Sequence, residues 1–571
     1  MEKKWKILQP DLREVTRISR RLKCSPVMAT VLANRNVVSP EDTVAFFDSS
    51  FQRVSSPFCV KDIEIAVDRI CTAIQNREKI LIFGDYDVDG ITATAILYKF
   101  FIEAGAEVSY YIPHRTSEGY GMRHQHISDV AVPGNIGLIV TVDCGISSHD
   151  AIEAANAAGI DVIVTDHHRV TEELPSALAV INPNRSDCES GLSHLAGVGV
   201  AFYLLIAVRK KLREMKHWNA GPEPNLKDLC DLVALGTIAD LVPLKAENRI
   251  LVKNGLEVMR QGKRAGIQAL IELCKLDKKP IEPDDIAFRL APRLNAAGRM
   301  RHANLALELL LTDDVGAAVR TARDLGQLNL SRQIIEKEIL DDIEKILHDS
   351  PAILDRQTIV LSHGTWHAGL LGIVASRIAG RFYRPVVLIS EKETPCKGSA
   401  RGIPNLDLYR LLESCQGSLE GFGGHNMAAG LTIRPENIDR FREAFEETTR
   451  KTVQDEIFAP TLLIDKELTL NEVSDRLMDE LESLQPFGIS NSEPLFMARD
   501  VRVYSSSLVG KNHRRMQLCQ FHGKPVNSIQ FNVRPESAHL ERFDRMAFYL
   551  RWNHWNGQKT AQVVVEDVAG E

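Results

Sequence analysis

The chain has 571 residues, a formal net charge of −7, and a content of 44% hydrophobic and 25% charged residues. This length predicts about three or four domains, and no apolar run approaches the roughly 18 residues needed to span a bilayer. We therefore expect a soluble protein without membrane association. The negative charge excludes a uniformly basic nucleic-acid coat protein, so any polyanion must meet a local patch.

Two further features of the sequence bear on its compartment. The N-terminus mixes acidic and basic residues without the apolar segment of a secretory signal, which predicts a cytoplasmic location. The ten cysteines are scattered and form no C-x-x-C pair. This pattern excludes a zinc knuckle or a redox dithiol and indicates reduced, mostly buried thiols.

The first half of the chain predicts a small helical element followed by a parallel sheet. Residues 1–55 are expected to be helical, with an apolar segment at Val27–Leu32 and a second helix start at Ser39 and Pro40. In the next predicted domain, 56–300, buried strands alternate with helices, as in a parallel sheet with right-handed crossovers. The predicted strands are 79–84, 107–112, 137–142 and 161–165, and the predicted helices are 61–76, 91–104 and 149–158.

The central feature of this domain is the sequence GDYDVDG, which places Asp85, Asp87 and Asp89 between a predicted strand and a predicted helix. Open α/β sheets bind ligands at this position. Three carboxylates on one short loop repel one another, so a cation is their natural partner. The same spacing begins a calcium-binding EF-hand loop, but that loop follows a helix and has Glu at its twelfth position, where this chain has Ile96. A solvated acidic turn is the other alternative.

Polar residues also follow the other predicted strands, and a further acid follows an apolar segment with a predicted turn at Gly236-Thr237. These residues are Asp143 after strand 137–142, Asp166, His167 and His168 after strand 161–165, and Asp240 after 232–235. Singly, Asp143 is explained as a helix cap, Asp240 as a turn residue and His167 as a core histidine. Together they predict a shared site, because parallel strands end at one edge of a sheet. Adjacent residues in extended chain point to opposite sides, so the two histidines are expected to have different tasks.

The region after this sheet is predicted to be helical. Residues 301–350 form a linker, either one long amphipathic helix or a pair of helices, with apolar residues at helical spacing from Val315 to Leu347. Just before it, Arg293, Arg299 and Arg301 lie close together in sequence. Guanidinium groups suit phosphate oxygens, and ion pairing within the fold is the alternative role.

The remainder of the chain predicts two more domains. Residues 351–455 predict a second α/β unit with the glycine-rich sequence GFGGHNMAAG, whose backbone amides suit phosphate. Residues 456–571 predict a small β-barrel that resembles an OB fold. Its basic turn at 511–515 and nearby aromatic residues suit a single nucleic-acid strand, with core packing as the alternative role of the aromatics. These aromatics are Phe531, Trp552 and Trp555.

Five motifs in this order resemble a known family. GDYDVDG, TVDCG, TDHH and GTIADLVPL are similar to the four motifs of the DHH phosphoesterase superfamily, and GFGGHNMAAG is similar to the glycine-rich motif of its DHHA1 domain. The linker and the barrel make the RecJ-type single-strand-specific exonucleases the best match, over almost the whole chain from about residue 60 onward. One departure is Ala400, where many relatives have Gly.

The resemblance implies roles for individual residues. Asp143 is implied to bridge two ions, Asp85 to be a ligand or an acid behind the ligands, and His168 to face the scissile phosphate. The implied metal ligands are Asp87, Asp89, Asp143, His167 and Asp240, and the implied catalytic residues are Asp85, Asp143, His167 and His168. Substrate binding is implied for Arg115, Arg293, Asn295, Arg299, Ser399, Arg401, Gly423, Gly424 and His425.

The expected chemistry agrees with these residue types. Carboxylates with one imidazole suit Mn²⁺ or Mg²⁺, and two such ions activate water for in-line attack and stabilise the leaving oxygen. His168 and the arginines would stabilise charge on the phosphorus. The resemblance implies 5′ to 3′ removal of mononucleotides from single-stranded DNA in repair and recombination. It also implies a single-strand-binding protein and a RecQ-type helicase as partners, and we expect a monomer.

Two alternative functions are compatible with the same motifs. The first is an oligoribonuclease or cyclic-dinucleotide phosphodiesterase of the superfamily, but such enzymes are usually compact two-domain proteins, and the linker and barrel favour a polymeric substrate. The second is a non-catalytic replication scaffold of the same fold, which the intact acids and histidines argue against. The sequence contains no G-x-x-x-x-G-K-[ST] motif, which excludes a P-loop helicase or ATPase.

Overall fold

The computed structural model describes residues 3–170, 173–218, 221–510, 512–521, 523–533, 539–555 and 558–569. Contacts divide the chain into two compact units. The first comprises Met1–Lys4, Pro57–Asp240 and Glu257–Pro460, and the second comprises Trp5–Ser56, Leu241–Leu256 and Thr461–Glu571. Within the described ranges, no helix combines the length and the apolar character needed to cross a bilayer.

The chain begins with one short strand and three helices, which belong almost entirely to the second unit. Asp11 and Ser25 cap the first two helices, and Ser39 and Asp42 form a capping box at the third, so local sequence sets all three starts. The elements are β1 (Lys4–Ile7), α1 (Leu12–Leu22), α2 (Pro26–Asn34) and α3 (Pro40–Phe47).

The predicted parallel sheet is confirmed, with strands in the order β3-β2-β4-β5-β6 and every neighbouring pair parallel. Strand β4 is buried along its whole length, as expected for a sheet covered on both faces. The sequence did not predict the edge strand β6. The elements are α4 (Ile63–Asn76), β2 (Lys79–Gly84), α5 (Val88–Glu103), β3 (Glu107–Tyr111), α6 (His124–His126), β4 (Leu138–Val142), α7 (His149–Ala157), β5 (Asp161–Thr165) and β6 (Ala179–Ile181).

A helical region follows the sheet and ends in one continuous helix of 35 residues. The apolar pattern from Val315 to Leu347 is therefore one helix, and the shorter α14 (Asn304–Leu311) precedes it within the predicted linker 301–350. The predicted turn at Gly236-Thr237 is wrong, because both residues lie inside a buried helix that ends at Ala239. The elements are α8 (Gly197–Glu214), α9 (Cys230–Ala239), α10 (Ala246–Arg260), α11 (Ala265–Leu273), α12 (Pro283–Asp285), α13 (Ala291–Met300), α14 (Asn304–Leu311) and α15 (Val315–Asp349).

The second α/β sheet has the order β10-β11-β9-β8-β7, with one parallel pair, β7 and β8, and antiparallel pairing elsewhere. The glycine-rich sequence forms the hairpin of β10 and β11 at one edge of this sheet. The elements are β7 (Ile359–His363), α16 (Leu371–Phe382), β8 (Val386–Ser390), β9 (Cys396–Arg401), α17 (Leu408–Ser414), β10 (Gly421–Gly424), β11 (Ala428–Ile433) and α18 (Ile438–Thr452).

The C-terminal region forms a closed five-stranded barrel, because β14 pairs with both β15 and β17 and the remaining neighbours complete the circuit. This confirms the expected OB-like barrel. The elements are β12 (Thr461–Ile464), β13 (Lys466–Glu467), α19 (Asp475–Glu482), β14 (Phe496–Val509), β15 (His513–Gln520), β16 (Val526–Gln530), β17 (Arg542–Trp555) and β18 (Gln558–Ala569).

The barrel and the N-terminal helices share one hydrophobic core. Ile18 of α1 and Leu32 of α2 are fully buried in the same cluster as Phe496 and Phe548 of the barrel. The second unit is therefore built from the two ends of the chain and a short segment, Leu241–Leu256, between them.

Candidate metal centre and phosphate site

Acidic residues meet at the carboxyl edge of the first sheet, as the strand pattern predicts. Asp85 directly follows β2, Asp143 directly follows β4, and Asp166 directly follows β5. All three are almost fully buried, with 4%, 2% and 0% exposure. Asp143 has a φ of +59°, so the backbone turns sharply at the end of β4 and the side chain stays at the sheet edge.

The two other acids of the first motif are fixed by helix N-termini. Asp87 is the N-cap of α5, and its Oδ1 accepts hydrogen bonds from the amides of Asp89 and Gly90 at 2.9 and 3.2 Å. Asp89 is 1% exposed and accepts from the amides of Gly197 and Val198, at the start of α8, at 2.6 and 2.9 Å. Helix N-termini favour negative charge, so both carboxylates are held in place while other lone pairs remain for a cation.

Three sets of three side chains are able to hold a metal ion. Within each set, one ligand atom per residue lies within 4.8 Å of the others. The first set is Asp89, His167 and Asp240, and the second is Asp85, Asp87 and Asp143. The third set, Asp143, His167 and His168, shares two of its members with the other sets. The Nε2 atom of His167 lies 3.1 Å from Asp143 Oδ1, 3.6 Å from Asp240 Oδ2 and 3.8 Å from Asp89 Oδ2, so the first two sets are adjacent.

The polar atoms at the centre of these sets fit a cation. Among the described residues, Asp85 Oδ1, Asp143 Oδ1 and His167 Nε2 are buried without a hydrogen-bond partner. Burial raises the pKa of Asp85, Asp89 and Asp143, and the neighbouring carboxylates raise it further. The pKa of Asp89 reaches about 7. Burial lowers the pKa of His167 to about 4, so the imidazole is neutral and able to act as a ligand. Hard oxygen donors with one imidazole suit Mn²⁺ or Mg²⁺.

The second histidine has a different environment. His168 Nδ1 lies 2.7 Å from Asp166 Oδ1 and 3.1 Å from the hydroxyl of Tyr120. Burial alone would lower the pKa of His168, but the charge and hydrogen bond of Asp166 raise it to about 9. The pKa of Asp166 is lowered to about 2, against the effect of burial, chiefly by the charge and hydrogen bonds of His168. His168 is therefore a cation beside the metal sets, which agrees with the expectation that the two histidines differ.

Four residues hold this arrangement; the sequence placed Asp166 at the site without a role and did not indicate the other three. Asp166 accepts from the amides of Ile146, His167 and His168 at 2.7–3.0 Å. Tyr120 donates to the carbonyl of Asp143 at 3.1 Å. Asn182 and Asn184 donate to the carbonyls of His168 and His167. Asp166 had a sequence signal, because it precedes both histidines, whereas Tyr120, Asn182 and Asn184 lie in loops without a readable pattern.

Three arginines come together near these acids. The Arg115 guanidinium lies 4.5 Å from the centre of the Tyr86 ring, and Arg299 donates to the carbonyl of Gly369 at 3.0 Å. Burial, followed by the charges of Arg115 and Arg401, lowers the pKa of Arg299 to about 9. Mutual repulsion within a half-buried group of cations indicates a site for an anion.

Arg293 does not belong to this cluster. Its side chain donates to the carbonyl of Arg289 and lies near Cys274. Residues 295 and 299 are four apart on α13 and share a face of the helix, whereas 293 points away from that face. Asn295 does reach the site, since its Oδ1 accepts from the amide of Val88 at 3.2 Å. The structure thus gives no support to Arg293 as a phosphate ligand.

The second sheet contributes to the same region of the first unit. Arg401 on β9 donates to the Ser399 and Ser376 hydroxyls, both at 3.1 Å. The ring of His425 stacks against that of His168 with 5.9 Å between centroids and 19° between planes. Gly423 and Gly424 immediately precede His425 and are exposed, and Gly424 has a φ of +147°, which favours glycine.

The outer surface of the barrel carries exposed aromatic and basic side chains. The rings of His513 and Phe531 are 5.3 Å apart, Phe531 is 50% exposed, and Arg515 is exposed on the same outer face of β15. Arg514 faces the interior, is 2% exposed, and donates to Ser506 and Leu540, so it does not belong to this surface.

The other predicted members of the barrel surface differ from Phe531. Trp552 packs against the hydrophobic core, and the Lys559 ammonium lies 4.3 Å from its ring centre. Core packing, and not strand binding, is therefore the role that the structure supports for Trp552. Lys511 and the side chain of Trp555 lie outside the described residues.

Comparisons with known proteins agree with this architecture. Residues 79–237 match the family model "DHH family, N-terminal domain", residues 355–451 match "DHHA1 domain", and residues 464–567 match "RecJ OB domain". The single-stranded-DNA-specific exonuclease RecJ of Bacillus subtilis is 34% identical over 99% of this chain and 71% of the relative. The enzyme of the same name from Dickeya dadantii is 40% identical over 88% of this chain and 89% of the relative.

Solved structures give the same result. The crystal structure of RecJ from Thermus thermophilus in complex with Mn²⁺ has a TM-score of 0.85 and 29% identity and covers 100% of this chain and 80% of that one. The Mg²⁺ complex from the same organism has a TM-score of 0.78, 28% identity, and coverage of 100% and 78%. The chain belongs to the RecJ family of single-stranded-DNA-specific exonucleases.

Proposed function

We propose that this chain is a metal-dependent exonuclease that removes 5′-mononucleotides from single-stranded DNA in the 5′ to 3′ direction. The observation that carries the proposal is the pair of adjacent three-residue sets, Asp89, His167 and Asp240 beside Asp85, Asp87 and Asp143, next to a half-buried cluster of arginines. Metal ligands beside an anion site suit hydrolysis of a phosphodiester close to a charged strand end.

The acidic residues and His167 would hold the ions. Asp89, His167 and Asp240 would bind one ion and Asp85, Asp87 and Asp143 the other, with Asp143 between them because its Oδ1 is 3.1 Å from His167 Nε2. Bound Mn²⁺ or Mg²⁺ would supply a water nucleophile at neutral pH and stabilise charge on the phosphodiester. His167 is a neutral donor in this scheme, as its lowered pKa requires.

His168 would act on the substrate and not on the metal. Its Nδ1 is engaged by Asp166 and Tyr120, so Nε2 is the ring nitrogen left for a phosphate oxygen. Asp166 keeps the ring charged and oriented, and a fixed cation stabilises the negative charge that grows on the phosphate during attack.

The arginine cluster would set polarity and product length. Arg115, Arg299 and Arg401 with Ser399 would bind the terminal 5′-phosphate, since guanidinium forks suit phosphate oxygens. A strand anchored by that phosphate presents the next phosphodiester to the metal ligands, so each cut releases one nucleotide. Asn295, Gly423, Gly424 and His425 would contact the same terminal nucleotide.

The outer face of the barrel would bind single-stranded DNA. His513 and Phe531 form an aromatic pair with Arg515 on the same face, and aromatic rings interleaved with cations bind single strands without sequence preference. A long strand engages this surface, whereas a dinucleotide does not, which favours polymeric DNA over the oligoribonucleotide and cyclic-dinucleotide alternatives.

The cellular part of the proposal follows from the family. We infer action in the cytoplasm, in DNA repair and recombination, by a monomer that works with a single-strand-binding protein and a RecQ-type helicase. Such partners supply the unwound, extended substrate that a single-strand-specific enzyme needs.

The test is digestion of DNA labelled at its 3′ end, as a single strand and as a blunt duplex, with Mn²⁺ or Mg²⁺ supplied. We expect metal-dependent release of 5′-mononucleotides from the single strand, loss of the 3′ label only at the end of digestion, and an intact duplex. Asp143→Ala should bind the single strand and release nothing. Early release of the 3′ label, equal digestion of the duplex, faster cleavage of two- to five-residue RNA, or turnover by Asp143→Ala would each contradict part of the proposal.

A further inference from the structure

One loop of the first unit brings two side chains to the site. The loop 112–123 connects β3 to α6 and carries Arg115, which contacts the Tyr86 ring, and Tyr120, which contacts Asp143 and His168. Their positions against the acids are set by the path of this loop.

Glu118 lies at the centre of the loop and ties it to the end of the sheet. Its Oε1 accepts from the hydroxyl of Tyr111 on β3 at 2.9 Å, and its Oε2 accepts from the backbone amide of His114. The amide of Glu118 donates in turn to the carbonyl of His114 at 2.9 Å. The carboxylate therefore closes the segment 114–118 into a fixed turn, and Arg115 lies inside that turn.

A buried histidine lies on the other side of the Glu118 carboxylate. His126 is 3% exposed and packs against the rings of Phe83 and Tyr111, at centroid distances of 5.0 and 5.4 Å. Its Nδ1 accepts from the amide of Arg123 at 2.9 Å, so the ring proton lies on Nε2. That Nε2 has no hydrogen-bond partner among the described residues and lies 4.0 Å from Glu118 Oε2. A buried N–H donor thus faces the carboxylate.

The same turn also contacts the helix that carries the second arginine of the cluster. The rings of His114 and His302 are 5.8 Å apart, and His302 follows closely after Arg299 at the end of α13. Burial first and the charge of Arg115 second lower the pKa of Arg299, so the two cations repel each other and surrounding contacts must hold them together. The hydrogen bonds of Glu118 hold the turn that carries Arg115, and so they fix the position of Arg115 against this repulsion.

We propose that Glu118 is a positioning residue that holds Arg115 in place for the terminal 5′-phosphate, and so determines the preference for 5′-phosphorylated over 5′-hydroxyl strands. This inference rests on the proposed role of Arg115. Glu118 itself touches neither the acids nor the other arginines through any contact that the described residues show. It acts through the loop.

The test compares Glu118→Gln with wild type on 5′-phosphorylated and 5′-hydroxyl single strands. Glutamine keeps the size of the side chain but removes the charge and replaces one acceptor oxygen with an NH2 group, so it weakens the bonds that the two carboxylate oxygens accept from Tyr111 and the His114 amide. We expect KM for the phosphorylated strand to rise about tenfold, as loss of one hydrogen bond to a charged group predicts. The value of kcat and the KM for the hydroxyl strand should stay within about twofold.

Three controls keep the result interpretable. Tyr111→Phe removes only the hydroxyl that donates to Oε1, and it should shift KM in the same direction by a smaller factor. Glu103→Gln, on the exposed end of α5, is a matched change of charge in the same domain and should have no effect. Thermal melting should show all three variants fully folded at the assay temperature, which separates positioning from general loss of fold.

Arg115→Ala distinguishes failure of the inference from failure of the proposed function. If Arg115→Ala keeps the preference for the 5′-phosphate, the role of Arg115 is wrong. If Arg115→Ala loses the preference but Glu118→Gln keeps it, the positioning role of Glu118 is overturned. When both ideas hold, the double variant is no worse than Arg115→Ala alone, because Glu118 acts only through Arg115.

Discussion

Gly197 is the position where the smallest change should damage the metal centre most. A Cβ atom at this residue would lie 2.6 Å from Asp143 Oδ1 and 2.8 Å from its Cγ, whereas ordinary contact begins at 3.4 Å. In Gly197→Ala the carboxylate must therefore move by about 0.8 Å, the difference between 3.4 and 2.6 Å. A misplacement of about 1 Å in an active site costs roughly 100-fold in rate, so we expect kcat to fall by that order.

The assay is single-turnover digestion of labelled single-stranded DNA across a Mn²⁺ titration. The fall in rate should persist at saturating metal, because the fault is the position of a ligand, while binding of the strand is retained. Gly199→Ala on the same helix is the matched control, since its Cβ would meet only the Leu195 side chain at 3.2 Å. A folded Gly197→Ala enzyme with wild-type turnover would refute the reasoning that Asp143 is held by close packing against α8.

Three other predictions test separate parts of the molecule. Asp166→Asn removes the charge beside His168, so kcat should fall about 10- to 100-fold with KM nearly unchanged, and an unaltered kcat in steady-state digestion would contradict this. Phe531→Ala should weaken single-strand binding by about 1–3 kcal/mol in fluorescence anisotropy at fixed salt, whereas the core residue Trp552, replaced by Phe, should leave affinity unchanged. Arg249→Met removes four hydrogen bonds to carbonyl oxygens. Those of Leu484 and Pro486 still accept from Asn491, but those of Phe46 and Gln485 lose the Arg249 donor. Urea unfolding should therefore show a loss of about 3 kcal/mol in the free energy of unfolding, and a loss below about 1 kcal/mol would oppose this reasoning.

The position of the acids was predictable from sequence because it follows from strand order alone. Buried apolar runs ending in Asp85, Asp143 and Asp166 predict a parallel sheet, and a parallel sheet gathers those ends at one edge. Asp240 required more than this pattern, since it follows a buried helix and not a strand. Its place depends on how α9 packs beside α5, which no local spacing encodes.

The arginines show where sequence proximity misleads. Arg293 and Arg299 are close in the chain, but their angular separation on α13 puts them on different faces. The helical spacing of Asn295 and Arg299 places those two residues on one face of α13 and Arg293 on another. The hydrogen bonds of Glu118 to Tyr111 and the His114 amide could not be predicted, because they depend on the path of a loop that has no periodicity.

The shared core of the second unit has a consequence for how the chain folds. The N-terminal helices α1 and α2 are synthesised first, but the barrel strands that cover Ile18 and Leu32 are synthesised last. Domains usually fold as they emerge from the ribosome, and contacts this distant in sequence form slowly. The apolar faces of these helices therefore remain exposed to solvent until nearly the whole chain has been synthesised. Without the barrel these faces would stay exposed, so a truncated enzyme should aggregate through its N-terminal helices.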